Sequence, residues 1–435
     1  MRTEPESIWA DYIRSSSKAR EKYTVGIELE IIGFYKISKK RLSYEDIAPL
    51  LRYFCENEGW KPDLTNEGNI IGATKGSASL SLEPGGQFEL STTNNISLDI
   101  LKAEILAFTD KVRKYSKDKG FVWLTCGHDP VSKIPDIPRM PKKRYQIMEK
   151  LLPPRGKGIL NMMFCTAGTQ SSFDYSSPED AIKKLRVGNI VGIYISALLA
   201  NSPFIEGGLT QIPGNRSLAW NTSDVTRTGC LPGILNPDYR ISDYAAYVAA
   251  SPMFHYIRDN VIYGLEMIGW DEYSTKNETD PAKLTRDFLN HSSTVFPYCR
   301  LKSLIETRTT DAGNIHHVMS QAAFWKGLLY DQSALDAANE RVLQLRPAEL
   351  EELIREFPEK GLNSKAGSIS IRGEAEFFLD LAKKGLMTQT PSESKYLAYQ
   401  EKLLNDGKSR AEHIIAKYSG HSDTWKILSD EGFEL

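Results

Sequence analysis

The chain holds little that would staple, anchor or charge it. Only five cysteines occur in 435 residues. Cys55, Cys126, Cys165, Cys230 and Cys299 stand far apart, with no CxxC pair. That excludes a disulfide scaffold and a zinc knuckle, and it predicts a reduced, cytoplasmic chain. No long apolar run is present. The longest, Ile190 to Ala200, falls short of the ~20 residues that span a bilayer, so no membrane partner is expected. Positive charge is not in excess either. The net charge of −2 lacks the basic footprint of a nucleic-acid binder. The start, Met1 to Ser7, has no apolar signal core and is acidic, which predicts neither signal nor transit peptide. Histidines number seven. Adjacent His316 and His317 diverge on a helix or a strand, which predicts surface or capping roles, and His128 and His291 have no partners in sequence. No internal repeat or low-complexity tract interrupts the chain.

With 41% hydrophobic residues and 25% charged, the chain can bury a large core. Asp99 to Lys119 carries Leu101, Ile105, Phe108, Val112 and Tyr115 at helical spacing. Gly120 ends it, and Phe121 to Leu124 reads as a buried strand. Asn161 to Phe164 is strand-like. Pro178-Glu179-Asp180 opens a helix running to about Leu199, with acids at its positive end. Phe204 to Arg240 reads as a long functional or mobile loop. Val318 to Tyr330 is apolar all round and predicts a buried helix. Further helices are expected over Pro347 to Phe357, Glu374 to Lys384 and Arg410 to Tyr418. The basic segment Lys36 to Arg41 reads as a solvated loop. Strands thus concentrate before about residue 175 and helices follow. This predicts an α+β fold and a single catalytic domain over 1–435.

Two acidic pairs stand out. Glu28 and Glu30 lie in the apolar run Val25 to Phe34. Strand side chains alternate, so both face one way and Ile27, Leu29 and Ile31 the other. Alone, this is either a solvated acidic face or a cation site. Leu80-Ser81-Leu82-Glu83 then meets Pro84-Gly85-Gly86, a turn, before Gln87-Phe88-Glu89. The turn brings Glu83 and Glu89 together. Two carboxylates ~4 Å apart repel by roughly 4 kcal/mol at an effective dielectric near 20, which a cation or a shared proton offsets. Four such groups on two strand segments suit a hard cation bound through oxygen, typically Mg²⁺ under nucleotide phosphates.

At these residues the chain resembles the plant and proteobacterial type of glutamate–cysteine ligase. The resemblance is carried by Gly26 to Glu30, Ser81 to Ser91 and Ile137 to Tyr145. It continues through Met162 to Asp174, Ala200 to Phe204, Arg216 to Trp220 and Arg227-Thr228-Gly229. Phe296-Pro297, Arg300 to Lys302, Glu306-Thr307-Arg308 and Ala323 to Asp331 complete it, in family order over most of the chain. It implies a curved antiparallel sheet backed by helices, like the glutamine synthetase catalytic fold.

The resemblance also implies a reaction in which ATP phosphorylates a carboxylate and an amine displaces the phosphate. Glu28, Glu30, Glu83, Glu89 and Glu306 match the family's Mg²⁺-holding positions, with Gln170 beside the metals and the substrate. Arg308, two residues on from Glu306 along a strand, shares its face and is expected to reach the nucleotide's transferring phosphoryl, since a planar guanidinium grips oxyanions well. Glu306 and Arg308 also read as a cross-strand surface ion pair. Arg144 and Arg216 match the arginines for the glutamate carboxylate, and Trp220 a pocket wall. Asp224 is expected to take the amine's proton or hold its cation, and Arg227 to serve phosphate or structure. The partners implied are glutamate and cysteine or another amine, with the chain a monomer or homodimer.

Some positions depart from the family pattern. Cys165 stands where the family has Arg, and Ser172 where it often has Asn. Asn221 to Thr226 is poorer in Asp, and Thr309 to Gly313 poorer in Gly. These predict an altered substrate end beside an intact ATP and metal apparatus. The plant enzymes' regulatory disulfide segments do not reappear with their cysteines, so no redox switch is expected. Three readings follow: a glutamate–cysteine ligase of glutathione biosynthesis, a ligase joining glutamate or a similar acid to another amine, and a non-catalytic nucleotide-binding homologue.

Overall fold

The computed structural model describes residues 4–278 and 280–435. Of the stretch read for a leader, Met1 to Thr3 lie outside them, and Pro5–Ser16 is helical. The centre is an antiparallel sheet built round one long strand, β1 (Val25–Tyr35). Its alternation decides its two faces. Val25, Ile27, Leu29 and Ile31 are buried, while Glu28 and Glu30 are half-buried on the opposite side. Strands β2 (Lys61–Leu64), β3 (Ile70–Lys75), β4 (Ala78–Leu82) and β5 (Phe88–Ser91) extend the sheet on one flank. Strand β6 (Phe121–Leu124) pairs with the second half of β1. On the other flank come β7 (Gly168–Phe173), the Ile305–Asp311 strand and the Cys299–Leu301 strand.

Helices cover the apolar face. The amphipathic reading of residues 99–119 corresponds to a helix over Leu98–Lys117, which buries Leu101, Ile105, Phe108 and Val112. The Pro178–Leu198 helix packs on the Ile305–Asp311 strand, and the Ile315–Tyr330 helix packs on β7. The latter is buried nearly all round. The helices expected in the last third occur as Pro347–Lys360, Ile371–Gln389 and Arg410–Tyr418. A hairpin, Met253–Arg258 with Val261–Ile268, lies outside the sheet and packs on the Lys143–Leu151 helix.

Several local expectations are corrected. Residues 161–164 belong to a short helix, Ile159–Phe164. Ile159, Met162 and Met163 are buried at helical spacing, and a four-residue apolar run cannot signal its own period. The helical half of the chain supplies two sheet strands, because the Cys299–Leu301 hairpin partner returns beside β7 through Ile305–Asp311. The segment Phe204 to Arg240 contains a helix, Asn215–Asn221. The Lys36 to Arg41 loop is not wholly solvated, since Arg41 is buried in an ion pair with Asp129. His317 is buried rather than at the surface. His128 and His291 have their partners in distant or neighbouring carbonyls, those of Asp129, Val248 and Ser251.

Candidate active site

Strand register sets the acidic residues side by side. Glu30 on β1 faces Glu89 on β5, and Glu28 faces Gln170 on β7. Opposed residues have Cβ atoms about 4.5–5.5 Å apart, and like charges there are destabilising. Glu83 follows β4. Its amide donates to the Gln87 carbonyl at 2.9 Å, and the Gly86 amide donates back to Glu83 at 2.8 Å. Gly86 takes φ +79°, a conformation glycine adopts freely. A side chain at Gly85 would put its Cβ 2.4 Å from the Phe164 carbonyl oxygen, so only glycine permits this approach. Gln87 then locks the turn. Its Oε1 accepts from Gly85 N at 3.0 Å, and its Nε2 donates to the Thr166 carbonyl at 2.8 Å.

These acids line one end of a cavity of about 300 Å³. Few donors serve them. Ser81 Oγ lies 3.0 Å from Glu89 and 3.4 Å from Glu83, yet a hydroxyl has one proton to share. Tyr145 donates to Glu83 at 3.2 Å, and the Gly168 amide to Glu30 at 2.8 Å. The acid pKa values reflect the shortage. Burial, then Glu306, pushes Glu28 up to about 7. Burial, then Glu83, pushes Glu30 up to about 7. Glu89 rises well above the usual range through burial, then Glu28, Glu83 and Glu30.

The other end is cationic, lined by Arg144, Arg216, Arg300, Lys302 and Arg308. Glu306 sits among them. Arg300 reaches it at 2.6 Å, Arg308 at 3.0 Å and Lys302 at 3.7 Å. Burial alone would raise its pKa. The opposing cations, Arg300 first, outweigh burial and hold it below the ordinary value. The expected Glu306/Arg308 pair thus exists, but recessed rather than at the surface. Arg308 also donates to Gln170 Oε1 at 2.6 Å, which ties the two ends together.

Each substrate-facing arginine is anchored from behind. Arg216 gives Nη1 to the Thr309 carbonyl at 2.8 Å and Nη2 to the Arg308 carbonyl at 2.9 Å. Arg144 gives Nη2 to the Ser293 carbonyl at 2.8 Å. Both terminal nitrogens of Arg216 are therefore engaged. What remains are the Nε atoms of Arg144, Arg216 and Arg308 and the Trp220 indole nitrogen, all buried and without partners. Buried donors left bare cost free energy, and these four belong to residues that line one cavity, whose cationic end suits an anion.

Asp224 and Arg227 are not among the residues lining the cavity. Asp224 bonds Arg155 at 2.6 Å and Arg227 at 2.8 Å. Despite burial, those partners pull its carboxyl down to about 2, too weak a base to take an ammonium proton. Arg227 is fully buried and donates to the Thr294 and Pro252 carbonyls. Both residues brace the framework, which corrects the role expected of Asp224 and leaves Arg227 with the structural one of its two expected roles. Of the family departures, Asn221 and Thr309 line a small recess beside Trp220, whereas Cys165 is buried among apolar side chains. Sequence reasoning assigned no part to Arg300, Lys302 or Tyr145. Arg300 and Lys302 did carry a signal, two cations at strand spacing just before Glu306. Ser293 carried none.

Among the described residues, no group of three or more His, Cys, Asp or Glu side chains is gathered tightly enough to hold a metal ion. The acids share a face and a cavity without closing on one point. Their chemistry nonetheless fits a hard divalent cation: all donors are oxygens, and negative charge is in excess.

Comparison with known proteins gives the site its setting. The family model for glutamate–cysteine ligase family 2 matches residues 24–427. The chloroplastic glutamate–cysteine ligase of Arabidopsis thaliana is 34% identical over 426 residues, covering 97% of this chain and 81% of that protein. The chloroplastic glutamate–cysteine ligase B of Oryza sativa subsp. japonica is 32% identical over 438 residues, covering 99% and 87%. A crystal structure of glutamate–cysteine ligase from Francisella tularensis in complex with AMP aligns with a TM-score of 0.53 at 13% identity, covering 94% of this chain and 87% of that one. That likeness speaks for the fold. The chloroplastic relatives overturn the expectation of a cytoplasmic chain.

Proposed function

The chain belongs to glutamate–cysteine ligase family 2, and from that premise we propose how its two-ended cavity forms γ-glutamylcysteine. The observation that carries the reading is the division of one cavity. Three acids with raised pKa values occupy one end. Buried arginine and indole N–H groups without partners occupy the other.

In this reading the glutamate substrate's α-carboxylate meets Arg144 and Arg216, with Trp220 as a wall. Both terminal nitrogens of Arg216 and Nη2 of Arg144 are already fixed by backbone carbonyls, so binding immobilises little further side-chain freedom. The γ-carboxylate of glutamate attacks the γ-phosphorus of ATP, ADP leaves, and an acyl phosphate forms. The cysteine amine then attacks the acyl carbon and phosphate leaves. Phosphoryl transfer asks the protein mainly for positioning and charge. Arg308 supplies both. Glu306 and Gln170 aim its guanidinium from behind, and its Nε–H is free. Glu28, Glu30, Glu83 and Glu89, with Gln170, are the groups that would hold Mg²⁺, which when bound neutralises phosphate charge, whereas Glu306 is already taken by Arg300, Arg308 and Lys302. Cation binding there would be coupled to proton release from Glu28, Glu30 and Glu89, whose pKa values are raised.

Phosphate release measured with ATP, Mg²⁺ and glutamate against a panel of amines tests this. Rapid release is expected with cysteine and little with other amines. Equal or faster release with a different amine would move the chain to another acceptor, and ATP binding without turnover would make it a non-catalytic homologue.

A further inference from the structure

Arg41 lies on none of the sheet strands, yet it joins the segments that shape the acidic end from behind. Its side chain is 1% exposed and that of Asp129 is 0%. Nη1 donates to Asp129 Oδ2 at 2.8 Å and to the Phe164 carbonyl at 3.5 Å. Nη2 donates to the Gly85 carbonyl. Asp129 is itself fixed. Its Oδ1 accepts from the amides of Val131 and Ser132 at 2.9 and 2.8 Å, and its own amide donates to the Cys165 carbonyl at 2.7 Å.

Gly85 sits in the turn that separates Glu83 from Glu89. Those two acids and Glu30 repel one another, and the easiest relief is for the turn to swing out of the sheet plane. Arg41 opposes that motion at its pivot, by bonding the turn to the end of the Ile159–Phe164 helix. A buried ion pair is seldom needed for stability, since apolar residues of similar volume serve as well or better. An apolar pair cannot donate to the Gly85 and Phe164 carbonyls.

We propose that the Arg41–Asp129 pair is a positioning device which keeps the Glu83–Glu89 turn beside Glu28 and Glu30, on the face that a divalent cation would occupy. The proposal rests on reading the acidic end as a cation site. Arg41 acts through the turn and touches no substrate.

The test uses the full chain, freed of metal for the exchange measurement. A double replacement, Arg41→Met with Asp129→Leu, removes both charges together. A single replacement, Arg41→Lys, keeps the charge but not the fork. Amide exchange of residues 82–90 should quicken by about tenfold or more in the double variant, while the Ile371–Gln389 helix exchanges as in the parent. Mn²⁺ binding followed by electron paramagnetic resonance should weaken by about 10–100-fold. The KM for glutamate at saturating Mg²⁺ and ATP should stay within about twofold. Arg41→Lys should fall between parent and double variant in both exchange and Mn²⁺ affinity, and it carries the test alone should the double variant not fold. Parent-like exchange and parent-like Mn²⁺ affinity in the folded variants would overturn the proposal. Failure of the parent itself to bind Mn²⁺ would instead overturn the cation reading beneath it.

Discussion

The two ends of the cavity satisfy their charges by opposite means. At the cationic end, Arg144 and Arg216 are bonded to main-chain carbonyls, and Arg300 and Arg308 share Glu306. At the acidic end, Glu28, Glu30 and Glu89 face one another with few donors, and their pKa values rise accordingly. A guanidinium has several donors in a rigid fork, so part of it can anchor while one N–H stays free. The carboxylates of Glu28, Glu30 and Glu89 have too few donors around them to be anchored in the same way. The protein therefore completes its cations internally and leaves its acids to be completed from outside.

The sharpest way to break that contrast is to neutralise one acid. Glu89→Gln keeps size and the Ser81 bond but removes a charge from the cation-holding set. Turnover should fall by about a thousandfold or more, the equivalent of several kcal/mol of charge stabilisation, with the thermal midpoint unchanged or raised because a repulsion is relieved. Parent-like phosphate release would remove Glu89 from the site.

A smaller effect is expected at the other end. Arg144→Ala should raise the KM for glutamate about 10–100-fold, the worth of one charged hydrogen bond, and leave the KM for ATP nearly as it was. Equal shifts in both constants would show that the two ends are not separate. Smallest is the effect of pH on the metal-free protein. Acids whose pKa rises on folding take up protons as the chain folds, so stability is fullest below the unfolded value of ~4.3. It should fall as pH rises through about 7, where Glu28 and Glu30 ionise. Calorimetry should show added Mg²⁺ restoring the midpoint more at pH 8 than at pH 5.5. An equal gain at both would break the link between raised acids and cation binding.

How much of this the sequence disclosed depended on whether the cause was local. Alternation in Val25 to Phe34 placed Glu28 and Glu30 together because period two is a property of the strand itself. Pro84-Gly85-Gly86 announced its turn for a similar reason, and the 3.6-residue pattern gave the Leu98–Lys117 helix. What stayed hidden was set by partners far along the chain. The Arg216 fork closes on carbonyls 92 and 93 residues away, and Arg41 meets Asp129 across 88 residues. No local pattern records such pairings. Asp224 was misread because three neighbours, Arg155, Thr226 and Arg227, claim its oxygens, and only two of those are adjacent in sequence.

Strand β1 pairs with three others, β5, β7 and β6. Because side chains alternate, sliding it by one position would turn Glu28 and Glu30 into the helical layer and expose Ile27, Leu29 and Ile31 to water. Such a chain would lose both its core and its chemistry in the same step. Quality control by a protease or chaperone, which senses only exposed apolar surface, would thereby also remove inactive copies.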